Sequence, residues 1–198
     1  MKPIVIYKSK TGFTEKYGQW IAEELRCKSL PLKKAKQENL QDYNLIIYGG
    51  GIYAGIIVGL KEMKKLLSAL PNKNLVVYCT GATPLEMTEK IAEVKKVNLK
   101  DYERSNIPFY YFLSGLNYER MGFFSRRIMK LMSSQLEKEL NQSGTENSKV
   151  PEKSFDLSDR KYIEPLVRYV KWLTHHSHIS YIIYTSIIIH VTRIYEIC

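Results

Sequence analysis

Ser9-Lys10-Thr11-Gly12-Phe13-Thr14 follows directly on the apolar run Ile4-Val5-Ile6-Tyr7. A short buried strand thus delivers the backbone into a hydroxyl-rich loop around one glycine, and a helix is expected to begin at Thr14. Such a loop can wrap a phosphate. Backbone N–H groups and the positive end of the helix face the anion, while Ser9, Thr11 and Thr14 add neutral O–H donors. Gly12 lets the backbone approach without a Cβ in the way. The same six residues also read as an ordinary polar turn with an N-cap threonine, and the hexapeptide alone leaves both readings open.

The setting of the loop removes several rivals. No G-x-x-x-x-G-K-[ST] is present, which excludes a P-loop nucleotide hydrolase. The first turn lacks G-x-G-x-x-G, which disfavours a dinucleotide fold starting at strand one. A phospho-acceptor receiver domain needs acidic residues at the end of its first strand. Lys8 and Ser9 stand there, and the first carboxylate is Glu15.

The elements that must position this loop alternate in type. Strands are expected at Ile4–Tyr7, near Cys27–Leu32, and at Leu45–Tyr48, Leu75–Tyr78 and Pro108–Leu113. Between them, Thr14–Arg26 places Tyr17, Ile21 and Leu25 on one helical face, and Leu60, Met63, Leu67 and Leu70 recur at helical spacing. Thr83-Pro84-Leu85-Glu86 has the form of a capping box opening a third helix, which carries Leu85, Ile91 and Val94. The alternation predicts an α/β doubly wound parallel sheet, in which ligands bind beyond the carboxyl ends of the strands.

Two further loops open on that edge. Gly49-Gly50-Gly51-Ile52-Tyr53-Ala54-Gly55 follows the third long strand and Cys79-Thr80-Gly81-Ala82-Thr83-Pro84 the fourth. Gly49, Gly51 and Ala54 satisfy G-x-G-x-x-A, but the next strand ends at Tyr78-Cys79 without the carboxylate a dinucleotide site requires. The glycines instead suit a turn lying against a flat ring system, whose edge main-chain groups could reach. Tyr53 either stacks on such a ring or is a half-exposed loop tyrosine.

The pattern S/T-x-T-G-x-T, here Ser9, Thr11, Gly12 and Thr14, resembles the phosphate loop of flavodoxins. With the other two loops it implies a flavodoxin-like five-stranded sheet of order 2-1-3-4-5, with helices on both faces, over about residues 1–174. The resemblance implies FMN as cofactor. It would be held by Ser9, Lys10, Thr11, Gly12, Phe13 and Thr14, by Gly50, Gly51, Ile52, Tyr53, Ala54 and Gly55, and by Thr80, Gly81, Ala82 and Thr83. Within the superfamily the chain is similar to the flavodoxin-domain group that includes menaquinone-dependent protoporphyrinogen oxidases. The residues behind this are the third-strand loop, Ser114-Gly115-Leu116-Asn117-Tyr118 after the fifth strand, and an insertion at 118–154. That group often has Ser-Ile-Arg-Tyr where this chain has Gly51-Ile52-Tyr53-Ala54. The function implied is electron transfer through the flavin, or alternatively oxidation of a porphyrinogen with electrons passed to a quinone.

Within the insertion, Phe124, Ile128, Leu131 and Met132 share a helical face flanked by Arg127 and Lys130, with Arg120 and Arg126 nearby. That pattern suits an amphipathic helix packed on the sheet, a membrane-surface helix over 118–140, or a cap on an anionic substrate. Asn141–Ser154 reads as a polar loop, and Asp156–Asp159 offers caps for a last helix near Tyr162–Leu173 with Pro165 in its first turn. The tail, 175–198, begins with His175, His176 and His178 and continues rich in Ile, Tyr and Thr. It reads as an added edge strand or a foreign or frame-altered extension. A metal site lacks supporting ligands there, and His190, Arg193 and Glu196 interrupt a membrane span.

At 198 residues, 44% hydrophobic and 25% charged, the chain suits one domain with a real core. Thirty Lys+Arg against 20 Asp+Glu give a formal charge of +10, which favours anionic partners. Beyond the insertion no basic stripe with stacking aromatics accompanies it, so a nucleic-acid partner is not expected. A redox partner protein or a quinone is. Cys27, Cys79 and Cys198 form no CxxC pair or disulfide framework, and no signal peptide is recognisable. A cytoplasmic protein is expected, with peripheral contact at the inner face of a membrane as an extension of that reading.

Overall fold

In the computed structural model, which describes residues 1–70, 73–117, 119–120 and 153–175, the chain forms strands β1 (Pro3–Lys8), β2 (Lys28–Pro31), β3 (Leu45–Tyr53), β4 (Ile56–Ile57), β5 (Asn74–Gly81), β6 (Phe109–Leu113), β7 (Gly115–Leu116) and β8 (Phe155–Asp156). The helices are α1 (Phe13–Leu25), α2 (Leu32–Ala35), α3 (Leu60–Leu67), α4 (Thr88–Asn98), α5 (Asp101–Asn106) and α6 over 164–175. The expectations for residues 121–152 and for the tail beyond His175 lie outside the described residues.

Successive strand residues point to opposite faces, so a sheet covered on both sides needs strands that are apolar throughout. Ile4, Ile6, Ile46, Tyr48, Val77 and Cys79 face one way, against Leu60 and Met63 of α3 and Leu99. Val5, Leu45, Ile47, Val76 and Tyr78 face the other, against Tyr17 and Ile21 of α1 and Leu166 and Val170 of α6. Each of these fully buried side chains contributes roughly 1.5–3 kcal/mol relative to exposure.

The parallel strands run in the order β2-β1-β3-β5-β6, which is the expected 2-1-3-4-5 once the short β4 is set aside. Register is fixed along the centre by Val5 opposite Ile47 and Ile47 opposite Val76. β4 pairs antiparallel with the end of β3, and β7 pairs antiparallel with β8.

Three local readings are corrected. First, β3 does not stop at Tyr48 but carries its glycines as strand residues to Tyr53. The neighbours are too close for side chains: a Cβ on Gly49 would be driven into the Tyr78 ring, and one on Gly50 would sit 2.6 Å from Ile57 Cγ2. Second, Thr83 does not cap a helix. Its carbonyl accepts the Tyr111 hydroxyl at 2.8 Å, residues 84–87 make a turn, and α4 begins at Thr88. Third, α5 was not foreseen, because it carries no apolar stripe. It is held instead by Glu103, whose carboxylate accepts from Lys100 N at 2.7 Å and Lys64 Nζ at 2.6 Å.

Glycine at 49 is therefore a packing requirement. Gly49→Ala is expected to lower unfolding stability by about 3 kcal/mol, at the upper end of overpacking costs, read from the urea midpoint. Gly55→Asn serves as the control: Gly55 has open space around its Cα and a φ of 77° that asparagine tolerates, so the midpoint should hardly move.

Candidate functional site

β1 ends at Lys8, and the chain turns into α1 through four residues. The Ser9 hydroxyl accepts Gly12 N–H at 3.0 Å, which closes the turn. Gly12 takes φ 99° and is the N-cap of α1, a role in which no side chain bonds the helix N–H groups. The threonine-cap alternative is thereby displaced. Thr14 lies inside the first turn, 2% exposed, with its hydroxyl 2.8 Å from that of Thr80, itself 4% exposed. Glu15, the acidic residue of the first turn, accepts the Tyr7 hydroxyl at 2.6 Å. The positive end of α1 is left open toward the strand ends.

The second wall is the end of β3. Ala54 (φ 47°) and Gly55 (φ 77°) form a two-residue turn between Tyr53 and Ile56, and paired positive φ angles are what such a hairpin needs. Asn98, at the end of α4, holds the hairpin from behind. Its amide donates to Gly55 O at 2.7 Å and Val94 O at 2.8 Å, and its carbonyl accepts Ile57 N–H at 2.8 Å. Gly51 faces inward, where a Cβ would lie 3.4 Å from Thr14 Oγ1. Tyr53 is half-buried, with Lys10 Nζ 4.8 Å from its ring centre.

β5 supplies the third wall at Thr80, Gly81 and Ala82. Tyr111 of β6 anchors it through Thr83 O. Burial pushes the Tyr111 hydroxyl up to about 12, which keeps it a neutral donor. The fourth wall is Ser114, Gly115, Leu116 and Arg120. Ser114 N–H donates to Gly81 O at 2.8 Å, which ties this wall to the third. Gly115 lies so close to Phe155 that a Cβ would overlap its carbonyl oxygen. Asp156, next along β8, binds Lys16 of α1 at 2.8 Å.

These walls line an open cleft at the carboxyl ends of the parallel strands. Lys10, Thr11, Phe13, Thr14, Gly51, Ile52, Tyr53, Thr80, Gly81 and Ala82 line it together. Ser9, Gly12, Gly50, Ala54, Gly55 and Thr83 are not among the residues that line it. Lys8, Val58, Ser114, Gly115, Leu116 and Arg120 also line it and were not in the sequence-derived set. The signal that could have found Ser114, Gly115 and Leu116 was the segment Ser114-Gly115-Leu116-Asn117, which sits at a strand end like the other loops; no such signal marks Arg120.

Among the described residues that line it, none is acidic. Cys79, the nearest thiol in the chain to Thr80, is fully buried, and burial raises its pKa far above the ordinary thiol range, so it is no nucleophile. Among the described residues no group of three or more His, Cys, Asp or Glu gathers to hold a metal. The cleft can therefore seat an anion at α1 and a flat group between Tyr53 and the β5 and β6 ends.

The family model described as flavodoxin domain matches residues 4–143. The chain belongs to the flavodoxin-domain family. An uncharacterised protein of Methanocaldococcus jannaschii is 32% identical over 87 residues, which are 42% of this chain and 57% of that protein. The chain thus spans little more than half the length of the curated relative it matches. Solved structures with similarity include a WrbA-like flavodoxin from Agrobacterium tumefaciens (TM-score 0.39, 14% identity, 56% of this chain and 82% of that one). A flavoprotein in complex with FMN from Lactobacillus acidophilus is another (TM-score 0.35, 15% identity, 57% of this chain and 91% of that one).

In this flavodoxin domain the hairpin wall hangs on one side chain outside the cleft. Asn98→Ala removes the partners of Ile57 N–H and Gly55 O, a loss of order 1–3 kcal/mol for a local opening. Faster amide exchange at Ile57, with the β1 and β5 amides unchanged, is expected; an unaltered Ile57 rate would show that β3 pairing alone holds the hairpin.

Proposed function

We propose that the cleft binds FMN and that the protein is a flavodoxin-like redox protein exchanging electrons with a partner through the flavin. The observation that carries this reading is the N-terminus of α1, whose N–H groups no side chain caps, at the edge of a cleft walled by three further strand ends. The residues present fit the group. Thr11 and the α1 N–H groups would take the phosphate, and Thr14, tied to Thr80, would keep that loop at its depth. The strand ends at Gly51 and Gly81, which bring no side chain of their own, would admit the ring, with Tyr53 available on one side once Lys10 moves off its face.

When bound, the flavin supplies one- and two-electron transfer. The protein's part is to bind, orient and limit water around it, and among the described residues the lining holds no carboxylate or imidazole placed for acid–base work. The carrier reading is preferred over a porphyrinogen oxidase that reduces a quinone. An arginine able to meet a porphyrin propionate is missing from the middle loop, where Gly51-Ile52-Tyr53-Ala54 stands. The formal charge of +10 favours a redox partner with an anionic docking face, or a quinone at an anionic membrane surface. Among the described residues no helix is long and apolar enough to cross a membrane.

The test is a titration of the purified chain with FMN, followed by visible absorption and flavin fluorescence. A perturbed flavin spectrum and quenched emission at one FMN per chain are expected. Gly51→Leu, which places a side chain in the ring space, should weaken binding at least about tenfold, or ~1.4 kcal/mol. A wild-type chain that leaves the FMN spectrum and emission untouched would retire the proposal.

A further inference from the structure

Three cations line the cleft, and they are not equivalent. Lys8 is engaged with Glu62 at 3.0 Å, and that carboxylate also takes Lys36 at 3.1 Å. Lys10 lies over the Tyr53 ring. Arg120 folds back across the phosphate-type loop: a Cβ built on Gly12 would lie 2.9 Å from its Nη1 and 4.0 Å from Cζ. The guanidinium therefore occupies the face that Gly12 leaves bare, at the N-terminus of α1, where none of the described lining residues is a carboxylate.

The backbone holds Arg120 in this place by a chain of contacts. Gly115 lets β7 press on Phe155 of β8, and Asn117 follows β7 directly. Asn117 Oδ1 then accepts Arg120 N–H at 3.0 Å, which ties the Arg120 backbone to the residue after β7. A planar guanidinium presents paired N–H donors in a fork that matches two phosphate oxygens, a fit that a lysine ammonium lacks.

We propose that Arg120 is a phosphate-binding residue, clamping the terminal phosphate of the flavin nucleotide against Ser9–Thr14. The inference rests on the FMN reading and adds to it a charged donor from a segment remote in sequence. It makes retention of the cofactor depend on its phosphate charge and on ionic strength. Because Arg120 is exposed, salt screens the contribution.

The experiment compares the full chain with Arg120→Ala and Arg120→Lys in equilibrium titrations with FMN and with riboflavin, which has the same ring and no phosphate. Each is run at low and high salt. Arg120→Ala should weaken FMN binding about tenfold at low salt and flatten its salt dependence, while riboflavin affinity stays within about twofold. Arg120→Lys should recover part of the FMN loss. Equal FMN affinity in wild type and Arg120→Ala would overturn the clamp, as would a parallel loss of FMN and riboflavin. If the wild-type chain binds neither flavin, the FMN reading itself fails and takes the clamp with it; circular dichroism of each variant confirms that the chain is folded.

Discussion

Tyr78 sets the depth at which α1 rests on the sheet. Its ring is fully buried, lies flat over Gly49 of the neighbouring strand and stacks on Phe112 with centroids 5.4 Å apart. Its hydroxyl donates to Thr14 O at 3.0 Å and would meet a Cβ on Gly18 at 2.8 Å. Two glycines on two elements thus make room for one tyrosine, and the tyrosine returns a hydrogen bond to the first turn of α1. With the Thr14–Thr80 contact, this fixes the loop at Ser9–Thr14 against the end of β5. The cleft is a by-product of that packing, because the strand-end walls are measured from the same side chain.

What the sequence made readable was whatever depends on local pattern. Apolar runs located β1, β3 and β5, helical spacing located α1 and α3, and the strand-end loops could be aligned on one edge. The extension of β3 through Gly49, Gly50 and Gly51 was not readable, since glycine has low strand preference and the compensation comes from Tyr78, Ile57 and Val58 elsewhere in the chain. Thr83-Pro84-Leu85-Glu86 has the composition of a helix start, yet a hydrogen bond from Tyr111 on the next strand takes Thr83 away from that role. Asn98 and Arg120 act across long separations, and no spacing rule connects them to Gly55 or Gly12. Tertiary partners decided every one of these positions.

The charges near the loop are arranged by sign. Glu15 would place a carboxylate at the positive end of α1, but Tyr7 binds it at 2.6 Å and it takes no part in the lining. Burial, reinforced by the Glu15 hydrogen bond and charge, raises the Tyr7 pKa well above the usual phenol range, so the hydroxyl stays a donor. Lys16, one turn into the helix, is drawn outward to Asp156. Compensation is thus complete on the outer side of α1 and withheld on the inner side. An anion entering the cleft meets dipole and guanidinium without a competing carboxylate.

The pairing of β7 with β8 places Leu116 beside Phe155, although 38 residues separate them in the chain. The mouth of that long excursion is therefore pinned shut by main-chain bonds within the folded domain. Once both ends of a loop are fixed, lengthening it is entropically mild: each doubling adds only about 0.6 kcal/mol. The domain can accordingly carry excursions of very different length and composition between Leu116 and Phe155 with little effect on the stability of the sheet. The fold has in effect a socket there, where evolution can exchange one module for another while the sheet stays as it is, provided that Arg120, which lines the cleft, is kept.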